Sequence, residues 1–233
     1  MRHPIRTLAP LAAALVAGLT LTGCAAVEPM PEVTPGARPG APATKAPAAT
    51  QATKAPHATR APAVAAASRV TVGGSGTACV LPVSFTLAEN WEPEAIKNPE
   101  DPEFAVLTRQ GPAFIRCEVD AKPAGSIGYL RVWTAAGTGP ARAALESFVK
   151  AEKGVSKAVY KETVTGGALP VTEVTYTVYN ELMEESKEER AFAVATSKGT
   201  VIVHLGGLDR EEHREMLPAY ELARTTLKVL ATT

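Results

Sequence analysis

The chain of 233 residues has no long apolar run. Its most apolar stretch, Leu8 to Leu19, spans 12 residues, whereas a helix that crosses the hydrocarbon core of a bilayer needs about 20. Arg2 and Arg6 precede this stretch, and small residues follow it. A basic start, a short apolar middle and a small-residue exit are the three parts of a secretory signal. The sequence therefore predicts export without a spanning helix.

The apolar run leads into Leu21-Thr22-Gly23-Cys24. An ordinary signal would have its small-residue motif after the run, but Ala12-Ala13-Ala14 lies inside it. The motif that ends in Cys24 resembles the lipobox of bacterial lipoproteins. The resemblance implies that residues 1–23 are removed as a signal peptide and that Cys24 is acylated on its thiol and amine. Two acyl chains hold a protein on a membrane, whereas one does so only marginally. We expect a lipid anchor on the outer face of the cell membrane; the alternative is an ordinary signal with Cys24 incidental.

Cysteine is scarce, with three residues in the whole chain. If Cys24 is lipidated, Cys79 and Cys117 remain, and an even remainder outside the cytoplasm indicates a disulfide. The alternative is two free buried thiols. A metal site needs more ligands at local spacing than this sequence offers, so we expect neither a metal nor another cofactor.

Net charge is zero, but the charges are unevenly placed. Residues 71–233 carry 17 Lys and Arg against 22 Asp and Glu. A mildly acidic domain has no electrostatic reason to bind nucleic acid. Aromatic residues make up 5% of the chain and lie after residue 80, which places the hydrophobic core there.

Residues 24–76 are predicted to be the lipidated cysteine and a disordered linker rich in Ala, Pro and Thr. Eight prolines lie between Ala25 and Val70, and no aromatic does. Such a segment cannot bury enough surface to offset its ordering entropy. A solvated spacer is the main interpretation; contact of its basic residues with an anionic surface and glycosylation of its threonines are alternatives. Val70-Thr71-Val72 is a candidate edge strand within it.

Residues 77–233 are predicted to form one globular domain. Period-two alternation, as in Val83, Phe85 and Leu87, predicts strands, and Trp91 is expected to cover the sheet. The predicted strands are 83–88, 104–109, 114–120, 127–134, 158–164, 169–179, 191–196 and 200–205. Asn180 to Arg190, which holds five glutamates, is interpreted as a charged hairpin tip rather than a calcium loop.

Two helices are predicted. The first follows Pro140, carries one apolar stripe and ends near Lys153 before Gly154. The second is capped by Asp209, with Glu212 completing a capping box. Because proline removes a helical hydrogen bond, we expect a short first turn and then a longer helix from Pro218 to Val229.

Two histidines are the strongest candidates for acid–base chemistry in the domain. His204 is interpreted as a satisfied structural histidine on a covered face, and His213 is expected on the wet side of the second helix. Paired with Glu211, Glu212 or Glu215, either could act as a general base. No nucleophile elbow, paired metal histidines or phosphate loop accompanies them, so no catalytic residue is assigned.

Phe85-Thr86-Leu87-Ala88-Glu89-Asn90-Trp91 resembles the opening strand, turn and Trp of PsbP-like domains. The stretch from Gly199 to Leu208, followed by Met216-Leu217-Pro218-Ala219-Tyr220, resembles the closing strand and helix of actinobacterial lipoproteins with that fold. The resemblance implies an α+β fold with an antiparallel sheet of about six strands flanked by helices. It implies no catalytic residues, because such domains are mostly binding or accessory modules.

Three functions follow from these features. The first is a non-enzymatic binding or accessory module of the cell envelope, with an unidentified envelope protein or small ligand as its partner. The second is a carrier of a lipid or another small molecule, which needs an apolar pocket of several hundred cubic ångströms. The third is an envelope enzyme, for which the sequence provides the weakest support.

Overall fold

The computed structural model describes residues 64–97, 99, 102–137 and 139–231. The predicted signal peptide, Cys24 and most of the predicted linker lie outside these residues. The strands are β1 Ala67–Val72, β2 Val83–Ala88, β3 Glu92–Ala95, β4 Arg109–Gln110, β5 Ala113–Asp120, β6 Gly128–Ala135, β7 Val155–Val164, β8 Pro170–Asn180, β9 Glu185–Thr196, β10 Gly199–Gly207 and β11 Lys228–Val229. The helices are α1 Ala141–Lys150 and α2 Arg210–Thr226, with 3-10 turns at Pro102–Thr108 and Lys122–Ala124.

The described strands form two antiparallel sheets. The larger has eight strands in the order β3-β5-β6-β10-β9-β8-β7, with β4 paired to β5, and the smaller has the order β1-β2-β11. The prediction of an antiparallel sheet flanked by helices is confirmed, although the main sheet exceeds the expected six strands. Strand β1 pairs with β2, so ordered structure begins before residue 77.

Strand β10 divides two hydrophobic cores because every residue in it is buried. On one face, Val201, Val203 and Leu205 pack in a core shared with α2 and the small sheet. On the other face, Ile202 packs in a core shared with α1. The alternation of the sequence therefore places two faces of one strand in two separate cores. Trp91 is buried in the α2 core, which confirms its predicted role.

The prediction of a strand over 104–109 is wrong. Residues Pro102–Thr108 form a 3-10 turn, and only Arg109–Gln110 pairs with β5. Phe104, Val106 and Leu107 are exposed, so the apolar character of this stretch does not reflect burial. Alternation predicts a strand only when one of its faces packs against a core.

The predicted break at Pro218 is also wrong, because α2 runs through it without interruption. Met216, Ala219 and Tyr220 are buried on both sides of the proline. Burial of this stripe outweighs the roughly 3 kcal/mol that an interior proline costs. Asp209 caps the helix as predicted by accepting from the backbone N–H groups of Glu211 and Glu212. The second half of the capping box is not formed, since the Glu212 carboxylate accepts from the backbone N–H of Ile127 instead.

Candidate functional site

Three adjacent strands bring a histidine, a carboxylate and a phenol together on the α1 face of the main sheet. His204 comes from β10, Glu189 from β9 and Tyr176 from β8. His204 Nε2 lies 2.7 Å from Glu189 Oε2 and 3.2 Å from the Tyr176 hydroxyl oxygen. The histidine is therefore held through one ring nitrogen by two partners.

Two further side chains extend this arrangement at its ends. Lys187 Nζ lies 2.7 Å from Glu189 Oε1 and donates to the Gly207 carbonyl at 2.8 Å. The Tyr176 hydroxyl donates to Glu152 Oε2 at 2.8 Å. We call these five residues the His204 network: Glu152, Tyr176, Lys187, Glu189 and His204. The contacts run in the order Glu152, Tyr176, His204, Glu189 and Lys187, so each carboxylate has a hydrogen-bond or ion-pair partner within the network.

The centre of the network is closed to solvent. Glu189 is 1% exposed and His204 is 5% exposed, and the Phe148 ring of α1 lies 5.6 Å from the His204 ring. Burial acts to raise the pKa of Glu189, but the charges and hydrogen bonds of His204 and Lys187 outweigh it and lower that pKa. Burial, followed by the charges of Glu152 and Glu189, raises the pKa of Tyr176 well above its ordinary value. The lowered pKa of Glu189 and the raised pKa of Tyr176 mean that Glu189 is ionised and that the Tyr176 phenol is neutral.

The expectation that His213 lies on the wet side of α2 is wrong, because His213 is fully buried. A Cβ atom built on Gly207 would lie 2.8 Å from the His213 backbone nitrogen, so α2 sits directly on β10 at this point. Among the described residues, neither ring nitrogen of His213 has a hydrogen-bond partner. Burial lowers its pKa from 6.5 to about 4, which keeps the imidazole neutral at physiological pH.

The pairing of His204 or His213 with Glu211, Glu212 or Glu215 is not formed. The partner of His204 is Glu189, which lies in β9 and not in the charged hairpin tip predicted for Asn180 to Arg190. The strand β9 begins at Glu185, and Glu189 continues the inward alternation of Ala191 and Ala193. This alternation indicates an inward position for Glu189, whereas the high glutamate count of the segment favours a solvent-exposed loop.

The predicted disulfide is present between Cys79 and Cys117, with a Cα–Cα distance of 5.8 Å. It joins the segment between β1 and β2 to β5, and so links the two sheets. The described residues contain no group of His, Cys, Asp or Glu that could hold a metal ion. In the same part of the chain, no helix is both long and apolar enough to cross a membrane.

One end of the main sheet exposes large apolar side chains from three separate loops. Leu182 is 93% exposed at the β8–β9 turn, beside Met183 at 48%. Leu208 and Ile127 are about half exposed, and their backbones are joined by a hydrogen bond. Met183 and Leu208 line one small crevice together with Lys187, which joins two of the three loops. We call Ile127, Leu182, Met183 and Leu208 the end patch.

Comparison with known proteins relates the chain to a family and to a solved structure. The model of the family Lipoprotein_23, described as "Uncharacterised lipoprotein", matches residues 48–227, more than three quarters of the chain. No curated protein sequence gives a significant match. Structural comparison finds similarity to the solution structure of cyanobacterial PsbP (CyanoP) from Synechocystis sp. PCC 6803. The identity is 12%, the TM-score is 0.43, and the match covers 68% of this chain and 96% of that one.

Proposed function

Because the chain belongs to the Lipoprotein_23 family of uncharacterised lipoproteins, we propose that it is a membrane-anchored accessory protein of the cell envelope that binds a partner protein and catalyses no reaction. Acylation of Cys24 supplies the anchor, since a diacylglyceryl cysteine carries enough apolar chain for stable membrane attachment. The domain then lies on the outer face of the membrane.

The burial of the His204 network supports a non-enzymatic role. A general base must come within hydrogen-bond reach of the proton that it removes. Phe148 lies beside the His204 ring, and Glu189 and His204 are almost completely buried. A substrate would have to displace α1 to reach them. The network instead joins β8, β9 and β10 to one another and to Glu152, just after α1.

The end patch is the single observation that carries the binding proposal. Exposed apolar residues from three loops, among them a leucine that is 93% exposed, lie at one end of the sheet. Grouped exposed apolar residues of this kind mark protein–protein contacts. The hairpin that carries this leucine, residues 181–185, contains three glutamates and no basic residue. We therefore propose that the partner is an envelope protein with an apolar recess surrounded by Lys and Arg, because such charges complement the glutamates.

Site-specific photo-crosslinking in intact membranes tests this function. A photoreactive phenylalanine analogue replaces Leu182 in the full lipoprotein, and the matched control carries it at Val159, which is 67% exposed on the edge strand β7. The proposal expects one discrete adduct from position 182 and none from position 159. The adduct should weaken with added salt, and a Leu208→Asp change should remove it.

The peptide captured from the partner should come from an apolar surface with Lys or Arg around it. Equal, diffuse adducts at both positions contradict the proposal, as does an adduct with membrane lipid. An adduct of twice the protomer mass would identify a second copy and overturn the assignment to a different protein.

A further inference from the structure

The first two turns of α2 contact the sheet through a histidine. Within residues 209–215, which we call the α2 start, His213 is the only buried side chain, and the others are exposed or half-buried. The His213 backbone lies directly on Gly207 of β10, and the first core residue of the helix, Met216, follows three residues later. The α2 start therefore packs on β10 with an imidazole in place of an apolar side chain.

The His213 ring is held without polar contacts. No described residue forms a hydrogen bond with either of its nitrogens, and Glu188 Oε1 lies 4.0 Å from Nε2, which is too far for one. Burial of an uncompensated imidazolium costs much more free energy than burial of the neutral ring. The packed α2 start thus favours the neutral ring.

The charges of the two nearest strands do not compensate an imidazolium. The groups that face His213 from β9 and β10 are Lys187, Glu188, Glu189, Arg190 and His204. Burial has the largest effect and lowers the pKa of His213. Glu189 acts to raise this pKa, and Arg190, His204 and Lys187 act to lower it.

The other elements around His213 add no charge beside the ring. Strand β2 carries no charged residue, and Arg131 of β6 pairs with Glu118. On α2 itself, the Asp209 and Glu212 carboxylates accept from backbone N–H groups, and the remaining charged residues of the α2 start are exposed. The proton affinity of His213 therefore depends on whether the α2 start is packed on the sheet.

Pro218 weakens the link between the α2 start and the rest of the helix. Proline has no N–H, so the helical hydrogen bond from residue 218 to the Arg214 carbonyl is missing. Helices bend most readily at such a position. The α2 start can consequently move without unpacking Ala219, Tyr220 and Ala223, which lie in the core beyond the proline.

We propose that proton uptake by His213 releases the α2 start from β10, while the helix beyond Pro218 stays packed. Two residues of the end patch move with it. The Ile127 N–H donates to Glu212 Oε2, and the Leu208 N–H donates to the Ile127 carbonyl, each at 2.9 Å. Acidification thereby separates Ile127 and Leu208 from the rest of the end patch. This consequence rests on the function proposed for the patch, whereas the release itself does not.

The size of the effect follows from two proton affinities. The pKa of an exposed imidazole is 6.5, whereas the pKa of His213 in the packed protein is about 4. Because the open form binds the proton more tightly, the opening equilibrium should rise about eightfold between pH 7 and pH 5.5. Exposed carboxylates stay ionised over this range, since their ordinary pKa values are about 4.

Amide hydrogen exchange of the full chain without a partner tests the proposal. The His213 N–H, which donates to the Asp209 carbonyl, reports on the α2 start, and the Val203 N–H in β10 reports on global unfolding. After correction for intrinsic exchange rates, opening at His213 and at Leu208 should be more frequent than at Val203 and should rise about eightfold from pH 7 to pH 5.5. Equal opening at His213 and Val203 would show that the ring is exposed only by global unfolding and would overturn the proposal.

Three variants separate proton uptake from other effects of acid. His213→Leu and His213→Gln fill the site without titrating, so both should abolish the eightfold rise. Pro218→Ala restores the missing hydrogen bond, so the α2 start should open less often at both pH values and keep the eightfold ratio. A rise that persists in both His213 variants would overturn the proposal. So would unchanged opening of the wild-type protein on acidification, because Glu188 would then hold the imidazolium in place, or a Leu208 N–H that stays protected when His213 opens.

Discussion

His204 Nε2 lies 2.7 Å from Glu189 Oε2, although the two residues do not face each other across the strands. His204 is opposite Ala191, two residues along β9 from Glu189. Gly206 lies beside this contact: a Cβ atom there would lie 3.3 Å from Glu189 Oε2, so the carboxylate would have to shift by a few tenths of an ångström. The hydrogen-bonded pair therefore leaves little room for a side chain at this position of β10.

Glu189→Ala should destabilise the protein by about 3 kcal/mol or more, because it leaves Lys187 without its counter-charge and the buried His204 Nε2 without its nearest hydrogen-bond partner. The matched control is Glu185→Ala, at the exposed start of the same strand, which should change stability by less than about 1 kcal/mol. Chemical denaturation of the full chain measures both. Similar losses from the two variants would show that Glu189 is not an essential member of the network.

Acidification should destabilise the protein through His213. The unfolded chain takes up this proton near pH 6.5, and the folded chain only near pH 4. Between these pH values the unfolded state binds more protons than the folded state. The contribution of neutral His213 to the free energy of unfolding is therefore fully present above pH 6.5 and is lost as the pH falls to 4. The loss is about 3 kcal/mol for a shift of this size.

His213→Leu removes this titration while His204 and the carboxylates remain. The difference between the stability–pH curves of the two proteins should therefore correspond to the uptake of about one proton on unfolding between pH 6.5 and pH 4. Parallel curves for wild type and His213→Leu over this range would show that His213 is accessible to protons in the folded state.

Reduction of the disulfide should lower stability by up to about 4 kcal/mol, since the bridge closes a loop with a sequence separation of 38. Replacing both Cys79 and Cys117 with Ser should give a similar loss, and the double variant should be insensitive to reductant. A denaturation midpoint that is unchanged by reductant in the wild-type protein would contradict a bridge between the two sheets.

Gly128→Ala should destabilise the protein by about 2 kcal/mol or more, as expected for overpacking of a close contact. A Cβ atom there would lie 2.5 Å from the Gly206 carbonyl oxygen and would also meet Met216, so β6, β10 and α2 would have to separate. Gly139→Ala is the control, because a Cβ atom at that position meets nothing within 4 Å. Thermal unfolding should show a clear decrease in Tm for the first variant only.

Local chemistry let the sequence determine several features by itself. The alternation of Val83, Phe85 and Leu87 predicts β2 because each residue can reach only one face of a strand. Asp209 predicts the start of α2 because its carboxylate satisfies free backbone N–H groups at the helix end. The pairing of Cys79 with Cys117 follows from there being two cysteines besides Cys24, whose neighbours resemble a lipobox.

Only the tertiary structure decided the features that depend on neighbours distant in sequence. His213 is buried because α2 packs directly on Gly207, and the surface pattern of the helix alone does not show this. Glu189 is inside because His204 and Lys187 offset the cost of burying its charge. Pro218 remains within a helix because the burial of Met216 and Tyr220 outweighs a lost hydrogen bond. In each case a long-range contact reverses the local preference of the residue.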